Sequence, residues 1–227
     1  MKILALDTST EYCSVALLHD GEIQNREILA EQRHSELILP MVKRTLGDAG
    51  LTLRQLDGIA FGSGPGSFTG LRIACGVTQG LALGADLPVI GVCTLEALAQ
   101  DAGEKTMNAG VIAALDARMG EIYHAAYKRT EDGWLPVSKP ALCLPQKAPV
   151  VSGSSWIGCG SGFDMYGEIL RSRYNGSIGH VISGLRPNAS AILQLAAAEF
   201  RKGLGIDPAD AGPLYIRNKV ALKEKER

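Results

Sequence analysis

The sequence predicts an α/β protein made of two lobes, each a mixed sheet flanked by helices. Residues 2–30 contain three short apolar strands joined by tight turns, which is typical of an antiparallel meander. Ala5-Leu6-Asp7 is followed by a polar turn and a second strand, and Ala114-Leu115-Asp116 repeats that order. Helices alternate with strands after both units, which favours two lobes of one topology. The repeated unit is short, so a chance similarity between apolar strands stays open as an alternative.

The N-terminal lobe is expected to span residues 1–105. Asp20-Gly21 is the predicted turn between its second and third strands. Ser35 is the predicted cap of the first helix, and Pro40 lies inside that helix, where a proline bends the axis. The expected elements are strands at 2–6, 12–19, 22–30, 57–61 and 88–92, and helices at 35–46, at 71–84 and after the cap residue Thr94.

The C-terminal lobe is expected to span residues 106–220, followed by a charged tail at 221–227 that frays. The polar stretch from Asp101 to Asn108 is the predicted connection between the lobes, and residues 130–149 are predicted to be rich in loops, with short strands. The element order indicates two ribonuclease-H-like lobes, with the last helix free to pack back on the first lobe. The remaining predictions are a second glycine cluster at 158–162, a helix at 164–171, and a helix at 189–201 opened by Pro187-Asn188.

Bulk properties exclude several classes of protein. The 227-residue chain has a formal net charge of -1 and only 5% aromatic residues, which argues against direct binding of nucleic acid. Five scattered cysteines without a Cys-x-x-Cys pair are typical of reduced thiols in the cytosol. The N-terminus becomes polar too early for a signal peptide, and no apolar run approaches the ~20 residues of a membrane span. We therefore expect a cytoplasmic protein without membrane contact.

The stretch Gly62–Arg72 joins a predicted strand to a predicted helix and contains four glycines. Glycines let the backbone approach a ligand closely, and a helix capped by Ser67 or Thr69 would present free N–H groups to an anion. However, the stretch has no lysine, and its spacing fits neither a P-loop nor a dinucleotide-binding loop. On the residues alone, a phosphate cradle and a plain tight turn both stay open.

Asp7 and Asp116 are the best-placed carboxylates, because each ends a strand where a phosphate or metal could lie between the lobes. The alternative, which we favour, is that each carboxylate only accepts bonds from N–H groups of its own turn. The four histidines form no His-Glu-x-x-His or His-x-x-x-His pair. We therefore predict no catalytic and no metal-binding residues. The residues assigned to a nucleotide-like pocket are Asp7, Ser9, Thr10, Gly64, Gly66 and Asp116.

The helix after the glycine stretch carries a glycine at every fourth position, namely Gly76, Gly80 and Gly84. Each glycine inside a helix costs ~1 kcal/mol relative to alanine, so the row needs a reason. A bare row lets another backbone come close. That backbone belongs either to a neighbouring helix of the same lobe or to another chain, and we favour another chain because apolar helix faces mark interfaces.

A set of segments spread over most of the chain forms a further pattern: Asp7–Ser9, Arg33–Glu36, Leu39-Pro40, Gly64–Arg72, Gln79–Ala82, Asp116–Glu121 and Tyr215–Arg217. Together they resemble the bacterial TsaB (YeaZ) family. The resemblance implies the two-lobed fold of actin-like ATPases, the ASKHA class, and a role without catalysis. The related TsaD subunit holds a metal with a His-x-x-x-His motif, whereas His34 here is followed by Ile38 at the fourth position.

The resemblance also implies partners. A TsaD-like catalytic subunit transfers a threonylcarbamoyl group to adenosine 37 of tRNAs reading codons that begin with A, and the complex recruits a TsaE-like ATPase. The isolated chain is expected to form a homodimer through the helices at 35–46 and 67–84, burying roughly 800 Å² per partner. The interface residues are then His34, Leu37, Ile38, Met41, Leu71, Cys75, Gly76, Thr78, Gln79, Gly80 and Leu83.

No cofactor is expected for the isolated chain. ATP or ADP is expected only at a subunit junction in the complex, and contact with tRNA only indirectly. Within this frame we interpret Gly62–Arg72 as a tight turn that launches the next helix at the angle its partner needs. The alternative is an enzyme acting alone, an ATPase or a metallopeptidase-like protein, and it rests on fold analogy.

Overall fold

The computed structural model describes residues 1–106 and 110–217. The predicted tail at 221–227 and the end of the predicted connection between the lobes lie outside these residues. The strands are β1 (Ile3–Asp7), β2 (Tyr12–His19), β3 (Glu22–Leu29), β4 (Gly58–Gly64), β5 (Val89–Cys93), β6 (Gly110–Asp116), β7 (Ile122–Thr130), β8 (Gly133–Cys143), β9 (Trp156–Cys159) and β10 (Ile178–Ile182). The α-helices are α1 (His34–Asp48), α2 (Phe68–Ala85), α3 (Thr94–Lys105), α4 (Ser161–Tyr174) and α5 (Ala189–Arg201).

The first sheet is organised around β1. This strand pairs antiparallel with β2 and parallel with β4, and the strand order is β3-β2-β1-β4-β5. All five residues of β1 are buried, because successive side chains point to opposite faces and both faces are covered. Leu4 and Leu6 pack with α1 and α2 on one face, whereas Ile3 and Ala5 pack with α5 on the other.

The second sheet repeats this topology around β6. That strand pairs antiparallel with β7 and parallel with β9, in the order β10-β9-β6-β7-β8. Ile112 and Ala114 pack with α4, whereas Val111, Ala113 and Leu115 pack with α3. The two sheets are thus two copies of one α/β unit, which confirms the predicted pair of ribonuclease-H-like lobes in the actin-like (ASKHA) arrangement.

Two helices each pack on the sheet of the lobe to which their position in the sequence does not assign them. The division of the sequence at residue 105 assigns α3 to the N-terminal lobe, but its buried residues Leu95, Leu98 and Ala102 pack on the second sheet. Helix α5 comes from the second half of the chain and packs on the first sheet through residues such as Ile192 and Leu193. A cut at residue 105 therefore does not separate the two cores.

Two predicted helix caps and the predicted connection between the lobes were wrong. Helix α3 begins at Thr94 itself, with Cys93 at the cap position. Helix α1 begins at His34, with Arg33 rather than Ser35 at the cap position. The polar stretch from Asp101 continues α3 as far as Lys105, because its polar side chains share the helix with the buried residues Ala102 and Gly103.

Residues 133–143, predicted as part of a loop-rich segment with short strands, form one long edge strand, β8. Pro136 and Pro140 lie within it, and an edge strand tolerates prolines because only one of its sides is paired. Ser67, one of the two residues predicted to cap α2, accepts from the Gly70 amide, and Asn188 caps α5 at the predicted start of that helix.

After α5 the chain runs back over the first lobe as residues 206–217, which we call the C-terminal strap and which include a short 3-10 helix at Pro208–Asp210. Ile206 forms a two-bond bridge with Val89 of β5. The Gln79 side chain of α2 donates to the carbonyls of Pro208 and Ala211, both at 3.1 Å. No helix within the described ranges is long and apolar enough to cross a membrane.

Candidate functional site

The glycine loop packs directly onto the turn that follows β1. The Ser67 amide donates to the Ser9 carbonyl at 2.7 Å, and the Thr8 hydroxyl donates to the Gly70 carbonyl at 2.6 Å. A Cβ atom at Gly66 would lie 2.6 Å from the Ser9 carbonyl oxygen, and one at Gly70 would overlap the Thr8 carbonyl. Glycines are needed here because two stretches of backbone touch each other.

Asp7 lies beneath this contact and is almost fully buried, with 1% of its surface exposed. The Ser9 hydroxyl and amide donate to Oδ2 at 2.9 and 3.3 Å, whereas Oδ1 has no hydrogen-bond partner. Burial raises the pKa of Asp7 to about 7, and the two Ser9 bonds oppose that rise. The favoured reading of this carboxylate, as an acceptor within its own turn, agrees with these contacts.

Asp116 occupies the equivalent place at the end of β6. Its Oδ1 accepts from the Arg118 amide at 2.9 Å and from the Tyr166 hydroxyl at 3.4 Å, and the Arg118 guanidinium lies 3.3 Å from Oδ2. Arg118, Met119 and Gly120 all have positive φ, so this turn holds two non-glycine residues in a conformation that costs energy. The second glycine cluster closes over it, since a Cβ at Gly162 would lie 2.8 Å from the Cβ of Ala114.

The residues assigned to a nucleotide-like pocket are therefore only partly available to a ligand. Asp7, Ser9 and Gly64 are buried, whereas Thr10, Gly66 and Asp116 are partly exposed. The fold class suggests ATP as a ligand. At the first lobe, however, the backbone of the glycine loop fills the space in front of the Asp7 turn. The described residues do not fit a bound phosphate there in this conformation.

A polar cavity of about 360 Å³ lies elsewhere, between β3, the end of α3 and the loop before α5. Its charged groups neutralise one another. Glu27 is paired with Arg186 and Asp101 with Lys105, and Asn188 bonds Asp101. None of the residues assigned to the nucleotide-like pocket lines this cavity.

The two predicted interface helices lie side by side on one face of the first sheet. Five of the eleven predicted interface residues are buried inside the chain and so require correction: His34, Ile38, Leu71, Cys75 and Thr78. They face the sheet or the strap rather than the surface. The residues that reach the surface at least in part are Leu37, Met41, Gly76, Gln79, Gly80 and Leu83.

The glycine row of α2 faces open space. Gly76, Gly80 and Gly84 are exposed, and, apart from its chain neighbours and the backbone of its own helix, a Cβ added at any of them would meet no described atom within 4 Å. No neighbouring helix in the described part of the chain uses this row, so the alternative of a partner helix in the same lobe is wrong. Leu83 beside the row is 61% exposed.

Two of the histidines, His34 and His124, make structural contacts. His34 Nε2 donates to the Thr10 carbonyl at 2.9 Å, which holds the start of α1 against the β1–β2 turn. His124 Nε2 lies 2.7 Å from the Tyr174 hydroxyl in the second core, and burial lowers the pKa of His124 to about 4. Within residues 1–106 and 110–217, no three His, Cys, Asp or Glu side chains form a group that could hold a metal.

One surface cluster was not predicted from the sequence. Phe68 and Arg72 from the first turns of α2 meet Tyr215 of the strap, with the Arg72 guanidinium carbon 3.6 Å from the centre of the Phe68 ring. Nothing in the local sequence places residue 215 beside residue 72. The only available signal was that Tyr215–Arg217 and Gly64–Arg72 both belong to the family pattern.

Comparison with known proteins agrees with this geometry. A family profile described as "TsaD: tRNA N6-adenosine threonylcarbamoyltransferase" matches residues 26–152. The Escherichia coli K12 protein named "tRNA threonylcarbamoyladenosine biosynthesis protein TsaB" is 41% identical over 229 residues, which cover 99% of this chain and 98% of that protein. The Haemophilus influenzae protein of the same name is 40% identical, with 99% and 97% covered. The solved structure "YeaZ from Pseudomonas aeruginosa" has a TM-score of 0.88 at 39% identity, covering 94% of this chain and 99% of that one.

The fold and the site together define a two-lobed protein of the actin-like class in which the glycine loops close onto the strand-end turns. The near full-length identity to relatives of one name goes further than the fold. The chain belongs to the TsaB (YeaZ) family, which confirms the resemblance found in its motifs.

Proposed function

We infer that this chain acts in the formation of threonylcarbamoyladenosine in tRNA, as a non-catalytic subunit that binds and activates a TsaD-like transferase. The relatives' names supply the pathway. The observation that carries the subunit role is the open glycine row of α2, three helical glycines with no described atom opposite them. Glycines at these positions weaken the free helix, and a second backbone docked on the row offsets that cost.

The absence of catalysis is supported by the state of the polar groups. Asp7 is buried and bonded within its own turn, and His34 is bonded to the Thr10 carbonyl. Ile38 occupies the position four residues after His34 and is fully buried. Within the described ranges no three His, Cys, Asp or Glu side chains form a group that could hold a metal. The Ser9 hydroxyl that faces Asp7 is itself buried.

The partner surface comprises the exposed side of α1 and α2, which includes Leu37 and Met41 of α1 and Gly76, Gly80 and Leu83 of α2. We propose that one face serves both assemblies, a homodimer of this chain alone and the heterodimer with the TsaD-like subunit, so that the two compete. A TsaE-like ATPase joins the heterodimer, and ATP or ADP binds at a subunit junction rather than at Asp7. Contact with tRNA is then made chiefly by the catalytic partner, in the cytoplasm.

The test is to block the glycine row without unfolding the chain. Gly80→Leu places a bulky side chain in the open row, and Gly167→Leu does the same at a helical glycine of α4 that also has no described atom within 4 Å. Gly80→Leu should keep or slightly raise the melting temperature, because leucine favours helix over glycine. Gly167 follows the kink of α4 at Tyr166, so the melting temperature of Gly167→Leu is measured as well to show that this control is folded. Titration with the TsaD-like partner should show affinity lowered by about tenfold or more for Gly80→Leu only. Unchanged affinity would remove the glycine row from the interface.

An enzyme acting alone is the competing function. Calorimetry of the isolated chain with ATP and Mg²⁺ separates the two, since a nucleotide site at the first lobe requires the Asp7 turn to open. Tight binding that is lost in Asp7→Ala would favour the enzyme and contradict our proposal.

A further inference from the structure

Arg72 is held in one position by two aromatic rings at the surface of the first lobe. Its guanidinium carbon lies 3.6 Å from the centre of the Phe68 ring and 5.7 Å from that of Tyr215. Its Nε donates to the Tyr215 hydroxyl at 2.9 Å. The stacked rings and the Nε bond hold the planar guanidinium group of Arg72, which we call the fork, in one orientation. Less side-chain entropy is therefore lost when the fork binds an acceptor.

The outer edge of this fork carries no carboxylate partner among the described residues. Arg118 of the β6–β7 turn and Arg217 of the strap are paired with Asp116 and Glu121 at 3.3 and 2.8 Å. The first turn of α2 contains no acidic residue either. Arg72 is therefore a rigid, exposed cation whose charge this part of the chain leaves unmatched.

The rim around the fork is apolar and accessible. Phe68 is 44% exposed and Tyr215 47% exposed, and Leu214 beside them is also exposed. Arginine and tyrosine are enriched among the residues that dominate protein interfaces, and a charge pair gains strength when an apolar rim excludes water. The composition of the cluster suits a protein partner.

Arg72 also continues the glycine row. Residues 72, 76, 80 and 84 are spaced by four and are all exposed, so they lie along one face of α2. A chain docked on Gly76 and Gly80 would therefore reach the fork within one further helical turn. The strap contributes Tyr215 to this end of the face, so the docking surface extends beyond the two helices.

We propose that Arg72, positioned by Phe68 and Tyr215, receives a carboxylate of the protein partner that docks on α2, and that the strap completes this contact. The inference rests on the proposed function, because it concerns the same partner. A phosphate of RNA could bind the same fork, but RNA binding needs several unpaired cations. Here the two neighbouring arginines are paired, and one face of Phe68 is covered by the guanidinium rather than free to stack on a base.

The experiment measures affinity for the TsaD-like partner across a salt series with the full-length chain. Arg72→Gln should weaken binding by about tenfold at low salt and reduce the dependence on salt, because an ion pair across the interface is lost. Arg72→Lys should recover only part of the affinity, since lysine keeps the charge without the stacked fork. Tyr215→Phe removes the acceptor of the Nε bond but keeps the ring, and should give a smaller loss.

Arg129→Gln is the matched control, because Arg129 is exposed and lies 5.7 Å from the Trp134 ring in the other lobe. It should leave affinity unchanged. If Gly80→Leu disrupts the complex while Arg72→Gln binds as tightly as the wild type, the inference is overturned and the proposed function stands. If the wild type does not bind the partner at all, the proposed function fails as well. Loss of tRNA binding by Arg72→Gln, with partner binding intact, would assign the fork to RNA instead.

Discussion

Arg217 lies 2.8 Å from Glu121, and this ion pair ties the end of the C-terminal strap to the β6–β7 turn of the second lobe. Arg217 also donates to the Ala117 carbonyl at 3.0 Å. Further back along the strap, the Leu214 amide donates to the Ser63 carbonyl at 2.7 Å, beside the glycine loop of the first lobe. The strap therefore links the end of β4 in the first lobe to the β6–β7 turn of the second, with two residues between Leu214 and Arg217.

Arg217→Gln should loosen the β6–β7 turn. The pair is largely buried, with side-chain exposure of 15% for Arg217 and 28% for Glu121, so its loss should lower the free energy of unfolding by about 1 to 3 kcal/mol. The turn also holds two non-glycine residues at positive φ, and without the clamp their amides should exchange faster. Thermal unfolding and hydrogen exchange at residues 117–121 provide the two measurements.

Arg118→Gln is the control in the same turn, because Arg118 pairs with Asp116 but its side chain is 85% exposed. An exposed pair contributes at most about 1 kcal/mol, so this variant should stay near the wild type. Equal stability of Arg217→Gln and Arg118→Gln would show that the strap does not clamp the turn.

Asp7→Asn should change how stability depends on pH. Burial raises the pKa of Asp7 to about 7 in the folded chain, above the value of about 3.9 in an unfolded chain. The folded state thus keeps its proton over a wider range, and Asp7 lowers stability as pH rises from about 4 to about 7, by at most about 4 kcal/mol. Above that range the cost is constant, so Asp7→Asn should be more stable than the wild type at about pH 8.

The measurement is the difference in unfolding free energy between Asp7→Asn and the wild type across this pH range. His124 titrates with the opposite sign, since burial lowers its pKa to about 4 and its contribution is lost on acidification below about 6.5. His124 is present in both proteins, so its contribution cancels in the difference. A difference that does not vary with pH would mean that Asp7 is ionised in the fold as readily as in water.

Much of the fold follows from local patterns. The apolar run Ile3–Leu6, the turn at Asp20-Gly21 and the cap at Asn188 each specify their element without help from the rest of the chain. The errors lie where tertiary contact overrides local signal. Gly103 ends no helix, because it is buried against the Trp134 ring, and two prolines are accommodated in β8 by its place at the sheet edge.

Less of the candidate site than of the fold could be predicted from the sequence. The glycine row was recognisable because helical glycines are costly, and the structure leaves it open. The sequence could not show that Ile38 and Thr78 point into the core, since both lie on helices that are apolar around much of their circumference. Nor could it bring Tyr215 to Arg72, because that contact joins positions separated by 143 residues.

The glycines of α2 should divide into two classes by their response to alanine. Gly70 lies in the first turn, where a Cβ would overlap the Thr8 carbonyl. That carbonyl belongs to the buried β1–β2 turn and cannot move aside without displacing β1, so Gly70→Ala should cost about 2 to 4 kcal/mol. Gly76 has no described atom opposite it, so Gly76→Ala should stabilise the isolated chain by up to about 1 kcal/mol.

Chemical denaturation of the two variants and the wild type measures both effects. Because both substitutions lie in the same helix, the general propensity of alanine for helix cancels when the two variants are compared with each other. The slope against denaturant should be unchanged, because neither substitution alters the surface exposed on unfolding. A stable Gly70→Ala would mean that the glycine loop can lift from the Asp7 turn at little cost. The space in front of Asp7 would then be open to a ligand, and the closed arrangement on which the non-catalytic role depends would be contradicted.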